Sequence, residues 1–193
     1  MLPDLIARQR YPLVGITVSQ ATITLRVTAE GESAAAARAA MQPTIDTIRE
    51  CLGDLIFGEE DEELQDVACR LLRERTQTLA VVEWGTGGLV SSWLAECSAP
   101  EVFRGGSVRT NDSQWDGFAE RAAPDADYVL LVGPRPVADS STTRPGNIEI
   151  VLVTPEGTIR KPIPFAGHPE ILKPRAAKQA LNLLRLHLLG KQV

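Results

Sequence analysis

Aromatic residues are scarce in this 193-residue chain, at 5% of the sequence, so aliphatic side chains have to build its core. There are three cysteines, Cys51, Cys69 and Cys97. An odd, widely spaced set argues against a disulfide framework and lacks zinc-ligand spacing, which leaves free thiols in a reducing compartment as the expectation. Positive charge is short as well. Twenty Lys and Arg stand against 25 Asp and Glu, for a net charge of −5, and no basic run is present to track phosphates. Nucleic acid is therefore not an expected partner. No apolar stretch reaches the roughly 18 residues that a membrane helix needs. The N-terminal MLPDLIARQR lacks the apolar core of a signal peptide, so no membrane association and a cytoplasmic location are expected. No tight cluster of ligating side chains points to a metal, and neither a metal nor a cofactor is expected.

With 44% hydrophobic and 23% charged residues, the chain has the composition of a soluble globular protein with one medium domain and one small one. Residues 2–9 read as a short helix ending near Tyr11-Pro12. Ile23, Leu25 and Val27 alternate with Thr22, Thr24, Arg26 and Thr28, the period of a half-buried strand, and Ser19-Gln20 reads as the turn of a hairpin. A helix is expected from Ser33, as N-cap, to Leu52, with Pro43 bending or splitting it and Gly53 ending it. Leu55-Ile-Phe57 reads as a third strand. Residues 1–58 thus form a small β-β-α-β domain. The acidic run Glu59–Glu63 is a solvated linker into a helix N-terminus, and residues 59–193 form the second domain.

In that second domain a helix is expected over 62–75 and a nearly continuous apolar strand over 78–83. A glycine turn then opens a helix that runs to about Glu96. Further strands are expected at 107–110 and 128–132, then a polar loop at 135–146. A hairpin, 147–153 with 159–164, and a helix over 170–189 complete the chain. Alternating strands and helices imply a layered α/β/α fold, and the late hairpin makes its sheet mixed. The strongest local feature is the strand–turn–helix at Glu83-Trp84-Gly85-Thr86-Gly87-Gly88. Free amides and the positive end of the helix dipole make such a turn a cradle for an anion or phosphate, although tight turns use glycine for steric reasons as well.

The same segment resembles a known family. Leu79-Ala-Val-Val-Glu-Trp-Gly-Thr-Gly-Gly-Leu89 is similar to the strand followed by Ala-Glu-Ser-Cys-Thr-Gly-Gly-Leu in the C-terminal domains of the competence/damage-inducible CinA family. Val102-Phe-Arg-Gly-Gly-Ser-Val108 resembles the stretch before that family's Tyr-Ser-Asn-x-x-Lys motif. Val132-Gly-Pro134, Arg144-Pro-Gly-Asn-Ile-Glu-Ile150, Phe165-Ala-Gly167 and Arg175–Leu181 resemble later pieces in the same order. Tyr11-Pro-Leu-Val-Gly15 and Leu52-Gly-Asp-Leu-Ile-Phe-Gly58 resemble its small KH-type domain. The resemblance implies a KH-like domain before a nicotinamide mononucleotide amidase-like domain, and a homodimer. It also implies chemistry by a serine nucleophile with a lysine and a tyrosine.

The chain departs from that pattern at each chemical position. Trp84 stands where the serine would be and Gly85 where its neighbouring cysteine would be. Thr110 falls at the tyrosine position and Trp115 at the lysine position, with Gln114 or Asp116 there under a one-residue shift. An indole offers no nucleophilic oxygen and no base near neutral pH. Replacement catalysts are not evident. Ser91, Ser92 and Cys97 read as structural, as does His187 among the leucines of the last helix. His168 reads as a loop or capping residue, and Asp112, Asp116, Asp125 and Asp127 as surface acids. The expected function is a non-catalytic binding or interaction module on the amidase scaffold, and the alternative is an active amidohydrolase with relocated residues. A vestigial pocket or ligand site would comprise Glu83, Trp84, Gly85, Thr86, Gly87, Gly88, Arg104, Thr110 and Trp115. Its indoles would either fill the space or stack on the ring of a nucleotide-like small molecule whose phosphate lies on the glycine turn.

Overall fold

The computed structural model describes residues 10–97, 99–110, 115, 118, 125–136 and 146–192. The helix expected over 2–9, the residues Asp112, Gln114 and Asp116, and most of the polar loop 135–146 lie outside the described residues. The chain divides into two compact units, Met1–Phe57 and Gly58–Val193.

In the first unit, β1 (Leu13–Ser19) and β2 (Thr22–Thr28) pair antiparallel. Alternation places Val14, Ile16 and Val18 opposite Val27, Leu25 and Ile23 on one face, and Thr17 opposite Thr24 on the other. The turn is Gln20-Ala21, one residue later than the sequence suggests, because Ser19 already pairs with Thr22. Both turn residues take positive φ, 45° and 63°, as a two-residue hairpin of this twist demands. Tyr11 closes the open end of the hairpin. Its hydroxyl donates to the Glu30 carbonyl at 2.6 Å and accepts from the Glu30 N–H at 2.8 Å.

Helix α1 (Ala34–Leu52) is capped by Ser33, whose hydroxyl accepts the Ala36 N–H at 3.1 Å. Pro43 does not split it: the helix continues through that residue, which removes one backbone donor. Gly53 ends the helix at φ 49°. No third strand follows. Gly53–Leu55 form a 3-10 turn closed by the Ile56 N–H on the Gly53 carbonyl at 3.1 Å, and the sheet of this unit has two strands among the described residues. A three-residue apolar run carries too little period to separate strand from turn.

The second unit is built on a five-stranded sheet in the order β4-β3-β5-β6-β7. The strands are β3 (Leu79–Glu83), β4 (Phe103–Val108), β5 (Tyr128–Val132), β6 (Asn147–Thr154) and β7 (Gly157–Pro164). β4 and β5 flank β3 in parallel, whereas β6 and β7 are antiparallel, so the sheet is mixed as expected. Strand β4 begins four residues before its expected start. Gly105-Gly106 disguised it, since glycine is a poor strand former. Gly106 is required there because a Cβ would collide with Ser91. Helices α2 (Leu64–Glu74), α3 (Leu89–Glu96) and α4 (Pro169–Leu188) pack on one face of the sheet. Ala177, Leu181, Leu184 and Leu188 form the buried stripe of α4 at helical spacing. The acidic linker does supply the N-cap of α2, because Glu63 and Asp66 form a reciprocal capping box. Lys178, buried on α4, joins the three helices. Its ammonium donates to Glu63 at 2.6 Å and lies 4.6 Å from the ring centre of Trp93. His187 packs edge-on against Tyr128 at 5.7 Å. Among the described residues no helix is long and apolar enough to cross a membrane.

Two predictions follow from these local geometries. Replacing Gln20-Ala21 with Asn-Gly should stabilise the hairpin by about 1 kcal/mol, read as roughly fivefold slower amide exchange in β1 and β2. Unchanged exchange would show that the positive φ angles carry no cost. At the other end of β3, Asp127 accepts from the Thr78 N–H and hydroxyl, both at 2.8 Å, and these bonds hold its pKa below the ordinary 3.8. A depressed carboxylate stabilises the fold above its unfolded pKa and loses that contribution as pH falls through the folded value. Asp127→Asn should therefore lower the denaturation midpoint at pH 7 while narrowing its difference from the midpoint at about pH 3.

Candidate functional site

Strand β3 ends at Glu83, between the C-terminal ends of β4 and β5, where ligands usually bind in α/β sheets. Pairing with the β5 side continues past the strand, since the Trp84 N–H donates to the Val132 carbonyl and the Gly85 N–H to Gly133, both at 2.9 Å. Because side chains alternate, Glu83 and Trp84 point to opposite faces of the sheet.

Glu83 points toward the helices and is fully buried. Its carboxyl group accepts four hydrogen bonds: the Thr86 hydroxyl at 2.5 Å, the Val90 N–H at 3.0 Å, and the Ser91 N–H and hydroxyl at 2.9 and 2.6 Å. Val90 and Ser91 lie in the first turn of α3, so the anion held by this helix terminus is the chain's own side chain. The sequence suggested a free amide cradle for a phosphate; two of those amides are already engaged by Glu83. Ser91, which had no evident base partner, is one of the donors that fix Glu83. Thr86 is buried beneath the turn. Gly87 and Gly88 take φ 64° and 94°, a region that disfavours a Cβ. Gly85 has a different reason. A Cβ there would lie 2.5 Å from Ile148 Cδ1 and 2.7 Å from the Gly133 carbonyl oxygen.

Trp84 points to the other face, where it is 7% exposed and packs with Val129, Leu131 and Val151. Trp115 and Phe118 each meet it edge-on, with ring centres 5.2 Å apart and planes at 83°. The Trp115 indole N–H donates to Glu149 at 3.2 Å, and Arg160 pairs with the same Glu149 oxygen at 3.1 Å. Residues 84 and 115 are thus brought together as two indoles in direct contact. Thr110 lies two residues beyond Val108, the partner of Glu83, at this end of the sheet. Arg104 does not join the site. It follows Phe103, the partner of Leu79 at the start of β3, about 13 Å along the strand from the turn. The expected strand start at residue 107 hid this placement.

Three residues of this region were not singled out from the sequence. Phe118 completes the aromatic cluster, and its signal was the three-residue spacing from Trp115, closed by the Phe118 N–H on the Trp115 carbonyl at 3.0 Å. Arg135 donates from Nε to the Gly85 carbonyl at 2.9 Å. The Lys173 ammonium on α4 lies 3.7 Å from the place a Cβ on Gly87 would take. Neither cation carries a local sequence signal, because each reaches the turn only through the tertiary fold. His168 caps α4, its Nδ1 accepting the Glu170 N–H at 3.4 Å. Among the described residues no group of three or more His, Cys, Asp or Glu side chains is placed to hold a metal.

With this geometry established, comparison with known proteins is informative. Residues 1–58 match the family model of the damage-inducible protein CinA KH domain. Along 97% of its length the chain is 28% identical to a CinA-like protein of Frankia casuarinae, covering 49% of that protein. It is 26% identical to a CinA-like protein of Thermomicrobium roseum, over 98% of this chain and 50% of that one. The chain spans about half the length of the curated relatives it matches. In fold it is similar to a competence-damaged protein (CinA) superfamily structure from Klebsiella pneumoniae, with TM-score 0.57 and 17% identity over 68% of this chain and 99% of that one. A superfamily structure from Escherichia coli gives TM-score 0.55 and 20% identity, over 70% and 98%.

Two substitutions test the local account. Glu83→Gln keeps the volume but places an amide NH2 against donors, and should cost about 3 kcal/mol in denaturant unfolding. Gly85→Ala should destabilise by about 1–3 kcal/mol through overpacking against Ile148. A neutral Glu83→Gln would mean that the carboxyl group is not what holds the start of α3.

Proposed function

We propose that the chain is a non-catalytic member of the CinA family whose former reaction pocket is filled by its own indoles. The supporting observation is the edge-to-face contact of Trp84 with Trp115 at the positions matching nucleophile and base. Indole supplies neither an attacking oxygen nor a proton acceptor, and loss of one member of such a set removes most of its rate. Glu83, the remaining buried carboxyl group of the motif, is committed to four donors and has no role as a base. The function of such a scaffold is binding or interaction, and the chain acts as a dimer.

A second reading keeps a ligand. Arg135 and Lys173 flank the glycine turn and would suit the phosphate of a nucleotide-like molecule. Purified protein incubated with nicotinamide mononucleotide should release no ammonia above a protein-free control. Turnover abolished by changing one named serine or histidine would instead establish an active amidohydrolase with relocated residues. A thermal-shift series with pyridine and adenine nucleotides separates the other two readings, since a ligand bound only by the folded state raises Tm. A filled pocket predicts no shift. Trp84→Ala should lower stability by about 3–5 kcal/mol, as loss of a packed aromatic does.

A further inference from the structure

We propose that Cys69 and Cys97 are a disulfide-forming pair that reversibly joins α2 to the C-terminal end of α3. Cys69 is buried on α2, one helical turn after Asp66 and on the same face. Cys97 occupies the C-cap of α3, and its Sγ donates to Asp66 Oδ1 and to the Trp93 carbonyl, both at 3.4 Å. That contact sets Cys97 against the face carrying Cys69. Bond formation requires the two sulfurs to close to about 2.05 Å. Cys97 is placed to make that move, because it stands just beyond the last helical residue of α3.

The co-reactant is a low-molecular-weight disulfide. One thiol loses its proton, attacks a sulfur of that disulfide and expels one small thiolate. The second thiol loses its proton and displaces the small thiol from the mixed disulfide. The two cysteines are oxidised by two electrons, and the two protons end on the two small thiols released. Burial raises the pKa of both thiols, and the neighbouring Asp66 raises that of Cys97 further. Arg73 opposes this at Cys69 but is itself paired with Glu101 at 2.7 Å. The pair therefore reacts slowly near neutral pH and answers to a sustained oxidising poise rather than to a brief pulse.

The full-length Cys51→Ser chain incubated under native conditions with oxidised glutathione should lose about 2 Da, map as a Cys69–Cys97 crosslink after digestion, and melt at higher temperature. The parent chain should form the same crosslink and can take a glutathione adduct at the exposed Cys51 in addition. Cys97→Ser should give no crosslink, with a glutathione adduct or no change at Cys69. The proposal fails if the folded parent chain stays reduced at both positions after prolonged exposure. It also fails if the crosslink forms only once denaturant is added.

Discussion

The second unit depends on one buried carboxyl group and the helix terminus that surrounds it. Glu83 stands at the end of a central strand, fully buried, and its burial is tolerable only because four donors converge on it. Three of those donors belong to the start of α3, so the helix cannot shift without stranding the carboxyl group. Much else follows from that anchor. The path from strand to helix has to turn within a few residues, which places Gly87 and Gly88 at positive φ. Ser91 must approach β4 closely, which makes Gly106 obligatory. Ser91 and Thr86 are then parts of the cap and unsuited to chemistry of their own.

Adjacent residues on a strand face opposite sides, and this separates the structural half of the motif from its chemical half. Glu83 looks into the helical layer. Trp84 looks into a second layer where Trp115 and Phe118 meet it. Changing residue 84 therefore leaves the contacts of the helix cap intact.

Legibility from the sequence followed physical range. Strand β5 and the late hairpin were readable because apolar runs and a Pro-Glu-Gly turn are local signals. So was the N-cap Ser33, whose donor lies three residues away. Strand β4 was misplaced because two glycines carry no apolar period. The third strand of the first unit was an over-reading of three apolar residues, the first of which, Leu55, ends a 3-10 turn. Pro43 did not split α1, since a penalty of one missing donor is spread over 19 residues.

By itself the sequence determined the mixed α/β character and that tryptophan stands at positions 84 and 115 and threonine at 110. Composition, periodicity and residue identity are properties of the chain and need no coordinates. Only the tertiary structure decided what the motif holds and what the two tryptophans do. Glu83 occupies amides that looked open to a phosphate, Arg104 lies at the far end of its strand, and Trp84 meets Trp115 and Phe118 across more than thirty residues of chain. Such outcomes depend on register and on which face a side chain takes. Both are set by long-range pairing between strands, and no local stretch of sequence encodes them.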